Sequence, residues 1–127
     1  ESVLASDFDT IREPLEALRE LGVGILLDDF GTGYSSLGYV RELPLDAVKL
    51  DRIFTRDLTV SAGAWTLARS VIGLIGQLGL GIIAEGLETA AHLAQLRSLG
   101  CRVGQGYYFA RPLPPASLQF EELGRHA

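Results

Sequence analysis

Short apolar runs alternate along this chain with stretches of helical spacing, and each run is closed by a charged or amide residue. Val23 to Leu27 stops at Asp28 and Asp29, and Ala47 to Leu50 stops at Asp51 and Arg52. Leu80 to Ala84 stops at Glu85 and Gly86, and the weaker Arg102 to Gly104 stops at Gln105 and Gly106. Apolar runs of this length, flanked by glycine and charge, predict buried strands. The stretches between them predict helices. Asp9 to Leu21 sets Ile11, Leu15, Leu18 and Leu21 at helical spacing, with Pro14 placing the regular start near Glu13 and Gly22 ending it. Ser35 to Leu43 ends at Pro44, and Ala62 to Leu78 ends at Gly79. Thr89 to Leu99 has Thr89 as N-cap and Gly100 as C-cap, and Pro115 to Leu123 forms the last helix.

Four strand-helix units after one leading helix predict an α/β fold with a parallel sheet. In such a fold every strand points the same way, so the residues that follow the strands gather at one edge, where ligands bind. Asp28, Asp29, Lys49, Asp51, Glu85 and Gln105 should therefore converge although they are far apart in sequence. A doubly wound nucleotide-binding domain and a barrel both satisfy this pattern, and strand order separates them.

Composition removes several classes of function. With 47% apolar and 21% charged residues, the chain is not a disordered tail. A net charge of −5 and the lack of a basic stripe exclude a nucleic-acid backbone as partner, though an anionic substrate bridged by cations fits. Cys101 is the only cysteine, so no disulfide forms within the chain and a reducing, cytoplasmic setting is expected. The longest apolar stretch, Val71 to Ala84, contains four glycines and Gln77 and is too short to span a bilayer. No signal peptide is visible at the start. The chain has no Met and begins at Glu1, which predicts an excerpt or a processed product.

The strand ends carry the chemistry. Asp28 and Asp29 repel each other and invite a divalent cation with hard oxygen preference; they also suit the caps of the glycine turn that follows. Gly31 and Gly33 with Ser36 make only a poor dinucleotide fingerprint, because the third glycine is missing and the carboxylates would oppose a phosphate. Lys49 and Asp51 share a strand face, where the lysine either neutralises an acid or holds a water or phosphate oxygen. Glu85 suits a metal ligand, a general base or a turn-facing acid, and Glu88 suits a helix-terminus acid. Gln105 offers an amide. Of Tyr107, Tyr108 and Phe109, at least two are expected in the core, though aromatics here can also stack on a base. His92 and His126 lack ligand spacing and are expected at the surface; Ser35, Ser36 and Cys101 have no placed base. What is left is an acid-rich, lysine-containing site suited to metal-assisted phosphodiester hydrolysis.

These residues resemble a known family. Asp28-Asp29-Phe30-Gly31-Thr32-Gly33-Tyr34-Ser35-Ser36-Leu37, Lys49-Leu50-Asp51-Arg52, Ala84-Glu85-Gly86-Leu87-Glu88-Thr89, Gly100-Cys101 and Gln105-Gly106-Tyr107 are similar, in order and spacing, to the C-terminal half of bacterial EAL domains. The likeness runs from Glu1 to about Pro115. It implies the C-terminal half of a TIM-type (β/α)8 barrel, a partial domain over residues 1–127. It also implies two divalent metals, Mg²⁺ or Mn²⁺, and hydrolysis of cyclic-di-GMP (c-di-GMP) to linear pGpG. By motif, Asp28 resembles the aspartate shared by both metals and Asp29 its second-metal neighbour. Lys49 resembles the lysine that positions the hydrolytic water, and Glu85 the glutamate proposed as general base beside the second metal. Asp51, Glu88 and Gln105 resemble residues that line the site or contact substrate. Glu1 resembles the last glutamate of a Glu-x-Thr-Glu segment, which binds no metal but steadies the loop from Asp29 to Leu37, a loop that also helps couple the site to a dimer interface.

Departures within the motifs are mild: Leu50 and Leu87 replace similar aliphatics, and Ile53 stands where a small residue is common. The Glu-Ala-Leu signature, a later asparagine and the first glutamate of Glu-x-Thr-Glu are expected upstream of Glu1. The isolated chain is therefore expected to be inactive, and to pair with a second copy or with the missing half-barrel. Sensor or GGDEF-type domains are expected neighbours in the parent protein. A non-catalytic c-di-GMP receptor or signalling scaffold is the alternative.

Overall fold

The computed structural model describes residues 2–31 and 36–118. Helix α1 (Ser2–Glu20) is followed by strand β1 (Leu26–Phe30), helix α2 (Ser36–Glu42) and strand β2 (Ala47–Leu50). A 3₁₀ turn (Arg52–Phe54), helix α3 (Ala62–Gln77), strand β3 (Gly81–Ala84), helix α4 (Ala90–Ser98) and strand β4 (Val103–Gly104) complete the regular structure, before a short 3₁₀ turn at Pro115–Ser117. All strands are parallel, in the order β1-β2-β3-β4. Doubly wound sheets reverse at a switch point, and neither common order sets four chain-consecutive strands side by side. The unreversed order is that of a (β/α)8 barrel segment.

Side-chain alternation sorts the sheet into two faces. Val48, Leu50 and Ala84 are fully buried and join Ile72 and Ile75 of α3 and Leu96 of α4 in the core. Ala47 and Lys49 point to the opposite side, on the register of Gly81 and Ile83. On that side Leu26 and Val103 are exposed at the two ends of the sheet. One face is thus packed under helices while the other, apolar near its base, lies open.

Three element boundaries depart from expectation. α1 does not begin near Glu13 but runs through Pro14 from Ser2. Proline's fixed φ is itself helical, and Pro14 lies on an exposed surface, where a missing donor costs least. The exposed Arg12–Glu16 pair, 2.8 Å apart at i,i+4, supports the same turns. β1 does not stop at the carboxylates; it carries Asp28 and Asp29 within it and ends on buried Phe30. Phe30 pairs with Leu50 while Leu27 pairs with Val48, so β1 spends one residue more than β2 over this stretch. Asp29 absorbs the bulge with φ 55°, a left-handed conformation that aspartate tolerates better than most residues. The helix expected from Pro115 is, among the described residues, a 3₁₀ turn over Pro115–Ser117 with an extended C-cap at Leu118; 119–123 lie outside the described residues. The remaining helices and strands fall within two residues of their predicted limits, or three for β1's start. The Thr89 hydroxyl caps α4 by accepting the His92 N–H at 3.1 Å, and Gly100 takes φ 90° just beyond its end.

No helix among the described residues is long and apolar enough to cross a membrane.

Candidate active site

The parallel sheet delivers Asp28 and Asp29 from β1, Lys49 from β2 and Glu85 from the end of β3 to one edge. The ladder continues past the strands: the Asp51 N–H donates to Phe30 O at 3.3 Å, Glu85 N–H to Leu50 O at 3.0 Å and Gln105 N–H to Ala84 O at 2.8 Å. Polar residues beyond each strand therefore stay on a rigid frame.

Lys49 is the hub. Its Nζ lies 3.2 Å from Asp28 Oδ2 and forms a close ion pair with Glu85 Oε1. The lysine and Glu85 side chains are mostly enclosed, at 19% and 23% exposure, while Asp28 is open at 56%. Carboxylate oxygens of Asp28, Asp29 and Glu85 all lie within 4.8 Å of one another. Three acids and one lysine meet at this edge. Hard oxygen donors so close together fit a divalent cation.

The protonation states suit that chemistry. The Asp29 N–H, which donates to Asp28 Oδ1 at 2.8 Å, and the Lys49 ammonium hold the Asp28 carboxyl below its ordinary range. Glu85, and then Asp28, push Lys49 above its ordinary value against the opposing effect of burial. Asp28 is thus an ionised acceptor and Lys49 a firm cation at neutral pH. The lysine can donate hydrogen bonds to a water or phosphate oxygen, but it is not a base.

The other predicted site residues stand at the same edge with different bonds. Asp51 caps the 3₁₀ turn, its Oδ1 accepting from Ile53 N–H at 2.8 Å. Glu88 Oε1 pairs with Arg52 Nη2 at 3.2 Å. The Gln105 carbonyl accepts from Leu87 N–H at 3.2 Å while its side chain is exposed. Glu1 lies outside the described residues, as do Thr32 to Ser35 of the loop it was expected to steady.

Two expectations are corrected. His92 is not at the surface: it is buried at the start of α4, and its Nδ1 accepts from the Glu88 N–H at 3.5 Å. A free amide at a helix start needs an acceptor, and this imidazole supplies one. Only Phe109 of the three aromatics packs against the core; Tyr107 and Tyr108 are exposed. The Arg111 guanidinium lies 4.6 Å from the Tyr107 ring centroid, an interaction that holds at the surface. His126 lies outside the described residues. Cys101 is buried, and burial pushes its thiol up, so it is no nucleophile.

Sequence reasoning missed Thr55. This fully buried residue sets its Oγ1 2.6 Å from Glu85 O and 3.1 Å from Arg52 O, tying the 3₁₀ turn after β2 to the end of β3. Its partners lie in two separate turns, and nothing local in the sequence marks it. Gly86, in the Glu-Gly-Leu-Glu motif, was the visible half of the same junction.

The chain is similar to known proteins in sequence and in fold. The family model for the EAL domain matches residues 1–112. "Cyclic di-GMP phosphodiesterase PA2567" of Pseudomonas aeruginosa is 49% identical over 119 residues, which is 94% of this chain and 20% of that protein. The chain therefore spans about one fifth of that curated relative's length. The PaMucR phosphodiesterase, solved as a c-di-GMP complex, superposes with a TM-score of 0.79 at 42% identity, covering 89% of this chain and 46% of its own. Klebsiella pneumoniae BlrP1, solved as a manganese and cyclic-di-GMP complex, gives 0.74 at 38% identity, covering 83% of this chain and 27% of its own.

Proposed function

Because this chain belongs to the EAL domain family, we propose that it forms part of a metal-dependent phosphodiesterase that hydrolyses c-di-GMP to linear pGpG. The observation that carries the reading is Lys49 held between Asp28 and Glu85, with Asp29 beside them. It is supported by relatives named c-di-GMP phosphodiesterases and by a manganese and cyclic-di-GMP complex among similar structures.

Asp28, Asp29 and Glu85 would hold Mg²⁺ or Mn²⁺. Bound divalent cations neutralise phosphodiester charge and make water a stronger nucleophile. Lys49 Nζ orients the attacking water through a donated hydrogen bond. Glu85 accepts the proton that the water loses as its oxygen forms a bond to phosphorus, and one P–O ester bond breaks with the departing oxygen taking a proton from solvent. Asp51, Glu88 and Gln105, set by their backbone anchors at the same edge, line the substrate side. The open sheet face and edges pair with the rest of the barrel or with a second copy, and the 127 residues alone are inactive.

Metal depletion tests the reading. Extensive dialysis of the full-length protein against a chelator should abolish hydrolysis of c-di-GMP, and added Mg²⁺ or Mn²⁺ should restore it. Undiminished turnover after the metal is removed would contradict the assignment of the three carboxylates.

A further inference from the structure

The 3₁₀ turn after β2 has a second attachment to the Glu85–Glu88 segment, and it is a side chain. The Arg52 stem lies against Gly86, where an added Cβ would stand 2.7 Å from Arg52 Cγ and 3.1 Å from its Cβ. Gly86 also has φ 71°, so the stem and the loop approach as closely as glycine permits. Beyond the stem, Arg52 Nη2 reaches Glu88 Oε1 at 3.2 Å. The Arg52 carbonyl accepts from the Thr55 N–H at 3.0 Å, and the Thr55 hydroxyl donates to the carbonyl of Glu85 at 2.6 Å. The root of the arginine is therefore fixed to the strand end that bears Glu85, and its tip is fixed to Glu88.

We propose that Arg52 is a positioning residue, which acts through Glu88 by holding that carboxylate in one orientation at the edge where substrate binds. The inference rests on the function proposed above. An unpartnered Glu88 would rotate freely and add an uncompensated negative charge next to an anionic substrate. Paired with Arg52, it presents a fixed acceptor to the N–H donors of a purine nucleotide, and the pair is neutral. The role concerns binding and not the chemical step, because neither group touches Lys49, Asp28 or Glu85 through a side-chain bond among those described.

The test is steady-state kinetics of the full-length protein on c-di-GMP, together with c-di-GMP affinity measured by calorimetry. Arg52→Met keeps the stem against Gly86 and removes the charge. It should raise KM, and weaken affinity, by about three- to fivefold, the scale open to a pair whose side chains are 60% and 45% exposed. Its kcat should stay within about twofold of wild type on the same reasoning. Arg52→Lys should recover most of the loss. In a Glu88→Gln background, Arg52→Met should cost nothing further, since the two act as one unit. Multiplying losses, a fall in kcat at constant KM, or unchanged affinity in Arg52→Met would overturn the role. Wild-type protein that binds c-di-GMP without turning it over would instead defeat the proposed function, while the affinity series would still decide the role of Arg52. Wild-type protein that does not bind c-di-GMP would overturn both.

Discussion

Glu85→Gln in the full-length protein should reduce turnover of c-di-GMP by about 10²–10⁴-fold, the range for loss of a positioned general acid–base group. Three features of Glu85 set the expectation. It is mostly enclosed, its carboxylate is in close contact with Lys49, and it shares a 4.8 Å cluster with Asp28 and Asp29. Glutamine keeps the shape but neither accepts a proton nor neutralises the lysine. The backbone should not change, because the Glu85 N–H and carbonyl are held by Leu50 and Thr55 independently of the side chain. The expected signature is therefore a large fall in kcat with an unaltered melting transition, read by assaying both on one preparation. Equal losses in activity and in folded fraction would mean that Glu85 acts only as part of the scaffold.

The second large effect concerns stability. Gly106→Ala should lower it by about 3 kcal/mol, the upper part of the range for overpacking, because the added Cβ would meet backbone and not a mobile side chain. That Cβ would fall 2.1 Å from Leu87 O and 2.4 Å from Leu87 N. Leu87 is itself fixed, with its N–H donating to Gln105 O at 3.2 Å and its carbonyl accepting from Tyr108 N–H at 2.9 Å. Relief requires the end of β4 to move away from the end of β3, which would carry Gln105 with it. Gly73→Ala is the matched control. Gly73 lies within α3, and its Cβ would meet nothing within 4 Å. Alanine there should stabilise by about 0.5–1 kcal/mol, from helix propensity alone. Chemical denaturation of both variants should show shifts of opposite sign. Tolerance of Gly106→Ala would mean that the two strand ends are not packed as described.

These two sites also show what was legible in the sequence. Glu85 was visible because a charged residue closing an apolar run marks the end of a buried strand, and parallel strands bring such ends together. Lys49 was visible for the same reason, as a cation inside an apolar run. The limits of β2 were read correctly because its apolar residues and its terminating acid coincide. β1 was misread because its anchor, Phe30, lies beyond the two aspartates. Its value appears only once Leu50 stands beside it and Asp29 takes up the bulge. The roles of Thr55 and Gly106 were not legible, since each is set by an atom in another turn, and that of His92 was not, since its partner is a backbone amide. A threonine hydroxyl on a carbonyl 30 positions away leaves no periodic trace. Tyr107 and Tyr108 misled in the other direction, because aromatic character suggests burial while the turn after β4 directs both rings outward.

Incubation of the purified full-length protein with c-di-GMP and Mn²⁺ or Mg²⁺, with the nucleotides separated chromatographically, tests the central claim most directly. The account predicts conversion to linear pGpG by the wild type, none by Asp28→Asn, and none by the isolated 127-residue chain run in parallel. c-di-GMP that is bound but recovered intact from the wild type would contradict it, and would assign the fold to a receptor instead.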